Sequence, residues 1–465
     1  MWLNRAFLIL ILYAGISIIS CRKPTSFKES GSLSFSADSL HFDTIFTTLP
    51  SPTLRLSVRN TSGSPLRIKY INLQGGENSP FKLIINGDAT PAVAGLELDK
   101  GDSALIFVSL TAQGNDARIL DKINFETSDQ QYEVILDAFV RDAYFLTDTF
   151  IACDTVFTPA KAIVVDGPLF VPEGCTLRIE PGTHLYFTPR VDKNYNPASY
   201  LFVGGTLQVE GSVTLPVIFE GNRLDEAYAG KGGQWRGIIF GVTSKGSVID
   251  KARIKNAWVG IQIDSLPVDA APKLVLSRTE ISNHSNYGIL LQGYSSVTQQ
   301  QIMLKAENIL IDNCAKSCFV MAGGGNADIT HATITAFNYD FNRKDPLILL
   351  NNYSTTTAYP LFAKFTNCIV EGTEDNEVQL DNANLGGYQV EFNYSLIRSV
   401  ITMPGILNIY NQSPAFIDSR KKDYHLNNNS PAINKGIATQ IFTDLDGKSR
   451  PQGAGPDLGC FEYQP

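Results

Sequence analysis

Between residues 33 and 140 short apolar runs alternate with polar residues and break about every ten positions at Gly, Asn, Asp or Pro. Examples are "LRLSVRNTSGSPLRIKYINL", "SPFKLIING", "LELDKGDSALIFVSLTA" and "QYEVILDAFV". Alternation with a period of two puts one face of each strand in a core and the other in water, and turn residues at this spacing predict an antiparallel β-sandwich of roughly seven strands. No helix of useful length interrupts it. From about Pro168 the texture changes to short apolar strands joined by Gly/Asn turns without hairpin signals. "GPLFVPEGCTLRIEPGTHLYF", "SYLFVGGTLQVEGSVTLPVIFEG", "QWRGIIFGVTSKGSVIDKARIKNAWVGIQID" and "NADITHATITAF" are such segments.

Several of these segments share one internal order: Arg253-Ile254-Lys255-Asn256 with Gly260-Ile261, Glu280-Ile281-Ser282-Asn283 with Gly288-Ile289, and Leu310-Ile311-Asp312-Asn313 with Cys318-Phe319. A repeat of roughly 20 to 30 residues marks a solenoid whose units must stack to bury their apolar face. Strand alternation within the repeat, with Asn at strand ends where left-handed backbone is tolerated, selects a β-solenoid. Glycine four or five residues later is expected to permit a second tight turn. Helical repeats would need a 3.6-residue period, and the leucine-rich-repeat signature is missing.

The pattern resembles the right-handed parallel β-helix of pectate lyases over roughly Pro168 to Ser399. The segments "VPEGCTLRIEPGT", "GTLQVEGS", "PVIFEG" and "QWRGIIF" are similar to a version common in bacterial envelope proteins. The opening "LSFSADSLHFDTIFTT" resembles the Ig-like modules near the N-termini of Bacteroidetes envelope lipoproteins, which usually act as spacers. The tail "SPAFIDSRKKDYHLNNNSPAINKG" with "TDLDGKSRPQGAGPDLGCFEY" resembles the choice-of-anchor-type terminal motif. Such a tail is expected to cap the last rung, because a solenoid exposes a naked edge and core at each end. An EF-hand is excluded: Asp444-x-Asp446-Gly447 lacks a third ligand position and a closing bidentate Glu. Asp444, Asp446 and Asp457 are read as acceptors for backbone amides in tight turns.

The first residues, "MWLNRAFLILILYAGISIISCRKPTS", have the charge and apolar run of a secretory signal. Ile18-Ile19-Ser20-Cys21 resembles a bacterial lipobox, which implies lipidation at Cys21 and a membrane reached through lipid alone. The expected division is signal peptide 1–20, linker 21–32, Ig-like sandwich 33–145, right-handed parallel β-helix 146–410 and C-terminal cap 411–465. The acidic cluster that often follows the lipidated cysteine of surface-displayed Bacteroidetes lipoproteins is replaced by Arg22-Lys23-Pro24. That favours an outer-membrane protein facing the periplasm, while polar, Asn- and Tyr-bearing loops favour the cell surface.

Net charge is −8, and no basic block follows Arg22-Lys23, so nucleic acid is not an expected partner. Cys153, Cys175, Cys314, Cys318, Cys368 and Cys460 permit disulfides in an exported chain without revealing a pairing. Cys314-x3-Cys318 has no second ligand pair and reads as buried thiols. No metal or cofactor is expected.

Chemistry on a β-helix would act on polysaccharide in a groove. Arg253-Ile254-Lys255 matches the Arg-x-Lys pair of one class of such enzymes, but the accompanying Asn-Thr-Asp, Asp-Asp and Gly-His-Gly motifs are missing, so both side chains read as a solvated face. His41, His184, His284, His331 and His425 show no metal-ligand spacing and read as turn or surface residues. Two loops are candidates for a site. "NYDFNRKD" offers Asp340, Arg343 and Lys344 as a base with charge neutralisation, and "EGNRLDEAYAGKGGQW" offers Asp225, Glu226 and Trp235. The expectation is a lipid-anchored envelope protein with a structural or glycan- or partner-binding β-helix. The alternative is a polysaccharide lyase or glycoside hydrolase.

Overall fold

The computed structural model describes residues 26–464 apart from 112, 113, 115, 297, 338 and 384–386, so Cys21 and the segment before it lie outside the described residues. The chain is all-β. Among the described residues its helical turns are Gly76–Asn78 and Ser419–Lys421. It forms two compact units, divided between Asp142 and Ala143.

The first unit contains two five-stranded sheets. Leu56, Val58, Ile106 and Val108 of one sheet share a buried cluster with Ile68, Ile71, Ile123 and Val134 of the other. The alternation read from sequence is therefore real, but among the described residues there are ten strands, and Gln131–Arg141 pairs with Ser39–Phe46 in parallel. The additional strands include Leu33–Phe35 and the wholly exposed Asp88–Ala89, too short to carry a period of their own.

The second unit is a coil with three strands per turn. Thr176–Ile179, His184–Phe187 and Tyr200–Val203 pair in parallel with Thr206–Glu210, Val217–Gly221 and Ile238–Phe240, the strands three places later. Repetition of this step builds three parallel faces, here called first, second and third in that order, and gives a β-helix-like fold. On the first face the inward side chains stack as Ile179, Val209, Ile249, Leu276, Ala306, Ile329, Phe365 and Phe392, each in register with the next. Burial of each large apolar side chain contributes about 1.5–3 kcal/mol, which only stacking can supply.

The turns follow the sequence reading in part. Asn256, Asn283 and Asn313 after second-face strands, and Asn308 and Asn367 after first-face strands, all have φ between 51° and 65°. Asn313 Nδ2 donates to Asn283 Oδ1 of the adjacent rung at 2.7 Å, so the ladder runs between side chains. Gly260 and Gly288 are needed for a different reason from the one expected. Their φ is not left-handed, but a Cβ at Gly260 would lie 2.7 Å from the carbonyl oxygen of Gly288, and one at Gly288 2.6 Å from that of Cys318. Close approach of rungs, not turning, selects glycine there.

The coil starts at Ala143, since Ala143–Phe150 already pairs with Ala162–Val171. That is well before the textural change at Pro168, because this first rung carries exposed Tyr144 and Phe150 and no Asn/Gly turn. A Cys153–Cys175 disulfide ties this first turn to the next; closing a loop of 22 residues is worth about 3 kcal/mol in the chain-entropy account. Cys314, Cys318, Cys368 and Cys460 are buried free thiols.

The tail differs from the expected end cap. Met403 is buried in the main core with Tyr410 packed against it, so the segment just after the last rung closes that end. Residues 411–464 instead return along the second face. Tyr424, Leu445, Cys460 and Phe461 cover Leu310, while Leu426, Ala432 and Leu458 cover Ile369 and Leu396. Asn308 Nδ2 donates to the Thr443 carbonyl, and Asn367 Nδ2 to that of Ile437. The tail is thus a strap laid across several rungs.

Its acidic residues have structural partners. Asp444 accepts from the amides of Lys448 and Glu462, and Asp457 from those of Asn434 and Tyr463, at 2.6–2.9 Å. Burial holds both carboxyls above the usual range, and the amide bonds partly offset it. Asp446 instead binds His425 Nε2 at 2.8 Å, with Asp423 on the other ring nitrogen. The hydrogen bond from Asp446, with that from Asp423, raises the imidazole pKa to about 9 against the cost of burial.

Candidate functional site

The first face carries an open groove over its last rungs. Its floor is set by register: Lys305 lies beside Asp328, Asp328 beside Lys364, and Lys364 beside Glu391, each on an adjacent rung about 4.8 Å away. All four precede an inward residue (Ala306, Ile329, Phe365, Phe392), so alternation turns them outward on rigid strands. Two cavities meet here. One of about 790 Å³ is lined by Lys364, Tyr388, Gln389, Glu391, Tyr394 and Ile406 among others. The second, about 290 Å³, is lined by Gln299, Asn326, Asp328, Phe362 and again Lys364, Gln389 and Glu391. Those three shared residues make the two cavities one groove.

Its electrostatics are mixed. Burial raises the Asp328 carboxyl, against the pull of Lys364 and Lys305. Lys305 itself is held by Glu307 at 2.6 Å. Glu391 accepts from Gln389 Nε2 at 2.9 Å, and Gln389 Oε1 accepts from Gln299 Nε2 at 2.7 Å. Tyr388 donates its hydroxyl to the Leu350 carbonyl, and burial pushes its pKa up to about 12, so it stays a neutral phenol. The groove therefore offers amides, hydroxyls and aromatic surface around two carboxylates and one ammonium.

The loops singled out in the sequence do not form a site. Arg343 is fully buried and pairs with Glu377 at 2.7 Å, whereas Lys344 lies 3.8 Å from Glu374 and Asp340 3.4 Å from Lys422. The expected base and cation of "NYDFNRKD" are thus engaged elsewhere, and Arg343 is not available to any substrate. In the second loop Asp225 pairs with Arg223, whose guanidinium lies 4.0 Å from the Tyr228 ring centroid. Trp235 is buried, stacked 3.9 Å from Phe187, and Glu226 is exposed. This loop is fastened by Gln234 and Asn256, whose side-chain amides donate to its carbonyls.

Arg253 and Lys255 do face outward, pairing with Glu280 and Glu220. Glu220 also binds His184 Nε2 at 2.6 Å. His41 is exposed beside Asp137. His284 and His331, expected in turns or at the surface, are in turns but buried. The Ala257 amide donates to His284 Nδ1, and Arg450 donates to His331 Nδ1 beneath the strap. Burial lowers the His284 pKa to about 4, and burial together with the Arg450 charge holds that of His331 well below its usual value. Among the described residues no cluster of three His, Cys, Asp or Glu is arranged to hold a metal.

Asp328, Lys364 and Glu391 carried a signal that repeat reading missed. "Asp328-Ile329-Thr330", "Lys364-Phe365-Thr366" and "Glu391-Phe392-Asn393" are the same repeat position in three successive rungs. Aligning the repeats past residue 337 stacks them.

No family model matches the chain, and no curated protein does. Among solved structures, the catalytic domain of a family 87 alpha-1,3-glucanase in complex with tetrasaccharides aligns over 78% of this chain and 92% of its own, at 8% identity and a TM-score of 0.22. The same kind of domain in complex with nigerose aligns over 80% and 89%, at 10% identity and 0.18. A family 123 glycoside hydrolase from Clostridium perfringens aligns over 25% of this chain at 9% identity and 0.18; this chain spans 30% of its length. Superpositions this loose carry no functional inference.

Proposed function

We propose that the chain is a lipid-anchored envelope protein that binds glycan in the first-face groove, with an Ig-like N-terminal sandwich as spacer and a right-handed parallel β-helix as the binding platform. The observation that carries this reading is the groove itself: two adjoining cavities whose lining combines Tyr388, Tyr394 and Phe362 with Gln389, Asn326, Lys364 and Glu391. Sugars present alternating hydroxyl edges and apolar C–H faces, and sites for such ligands combine apolar and aromatic walls with a few placed polar groups. Apart from Tyr394 these residues are borne on strands, so binding orders side chains but no backbone. With soluble polysaccharides as probes, Lys364→Ala and Gln389→Ala should each weaken binding about tenfold, one to two hydrogen bonds' worth. Lys344→Ala, outside the groove, should leave it unchanged. Equal binding by all three variants would remove the groove as the site.

Anchoring is the second part of the proposal. It rests on Ile18-Ile19-Ser20-Cys21; among the described residues no helix is long and apolar enough to cross a membrane. The outer membrane is the expected location, facing the periplasm or the medium. Cys21→Ser should move the protein from the detergent phase to the soluble fraction, and retention in the membrane would refute the lipid anchor.

A second reading, hydrolysis in the same groove, is favoured by one observation. Asp328, whose carboxyl is raised by burial, stands two rungs from Glu391, about 10 Å between backbones. Inverting glycosidases separate their carboxyls by about 6.5–9.5 Å. Release of reducing ends from a bound polymer, lost in Asp328→Asn, would establish it.

A further inference from the structure

We infer that the groove takes an uncharged, hydroxyl-rich polysaccharide and rejects polyuronates and sulfated chains. The inference rests on the glycan-binding reading above and adds the class of glycan.

It follows from the order of charges along the floor. Lys364 is the cation open to a ligand among the described lining residues, and it has Asp328 on the rung before and Glu391 on the rung after. An anionic sugar that reaches Lys364 must therefore sit within one rung, about 4.8 Å, of two carboxylates. Lys305 offers no relief, because Glu307 already holds it at 2.6 Å. No arginine lines either cavity, so the planar fork that recognises carboxylate and sulfate groups is missing from the described lining.

What remains suits neutral sugar. Carboxylates accept from hydroxyls, and Gln299, Asn326 and Gln389 both donate and accept. Pro404, Ile406 and Ile437, which also line the larger cavity, supply apolar surface for the C–H face of a ring. Net charge of −8 adds a long-range bias against polyanions.

The test uses the full mature chain in affinity electrophoresis. The probes are neutral polymers (α-glucan, β-glucan, mannan) and anionic ones (polygalacturonate, alginate, heparin). The expected result is retardation by at least one neutral polymer, unchanged between 50 and 500 mM salt, and none by the anionic set. The double substitution Asp328→Lys with Glu391→Lys should then gain polygalacturonate binding by tenfold or more while losing the neutral polymer. Both positions face outward, and an unchanged circular dichroism spectrum certifies the fold. Salt-sensitive binding of an anionic polymer that Lys364→Gln abolishes would overturn the charge rule and leave glycan binding standing. So would a folded double variant that gains no anionic binding. Failure of every polymer, neutral and anionic, would instead remove the glycan reading and this inference with it.

Discussion

Replacing Glu377 with alanine should destabilise the coil by about 3–5 kcal/mol, the cost of stranding a buried guanidinium. Arg343 and Glu377 both have fully buried side chains, and they meet through two charge-assisted bonds of 2.8 and 2.7 Å. Glu377 also accepts from the amides of Leu347 and Glu374, so its carboxylate pins the turn before Ile348–Asn351 as well as neutralising the arginine. Arg343→Met with Glu377→Leu should recover part of the loss, because removing both charges avoids the unpaired ion, but the two amides remain unsatisfied. Chemical denaturation followed by tryptophan fluorescence reads the coil selectively: apart from Trp2, the tryptophans are Trp235 and Trp258. A shift below 1 kcal/mol for Glu377→Ala would mean that water reaches the pair.

The same pair shows where sequence reading stops. An Asp, an Arg and a Lys within five residues look like a reactive loop, yet Arg343 is paired with a glutamate 34 residues away that no local pattern reveals. Strand alternation and turn residues are local, and both were legible. So was the stacking of rungs, because the repeat restates it several times. Which outward residues become neighbours depends on register across rungs of unequal length, so Asp328, Lys364 and Glu391 emerge only once strands are aligned.

The strap leaves a mark in the strands it covers. On the second face, early strands alternate as Arg253-Ile254-Lys255 and Glu280-Ile281-Ser282, whereas later ones, apart from Thr333-Ile334-Thr335, run Leu310-Ile311, Ile369-Val370 and Leu396-Ile397. A strand with two adjacent apolar residues is buried on both sides. The change begins where the strap lies.

Deleting residues 411–465 should therefore do more than open one end. It would expose Leu310, Thr333, Ile369 and Leu396, which follow one another along the second face, and it would strip the strap's partners from His331 and Asn367. A newly exposed stripe that is apolar apart from Thr333 is an association surface, so the truncated chain should aggregate or be degraded. The full chain should lose less than about 1 °C of melting temperature in EDTA, because the carboxylate oxygens of Asp444 and Asp457 are occupied by backbone amides. His425 gives a milder handle on the same docking. Its folded pKa, about 9, lies above the unfolded value near 6.5, so its contribution is complete below pH 6.5 and lost as pH rises through 9. His425→Gln should flatten the fall in stability over that window. A truncated chain that stays monomeric and melts normally would show that the coil holds itself without the strap. A large loss in EDTA would mean that the strap's carboxylates hold a cation instead of its own amides.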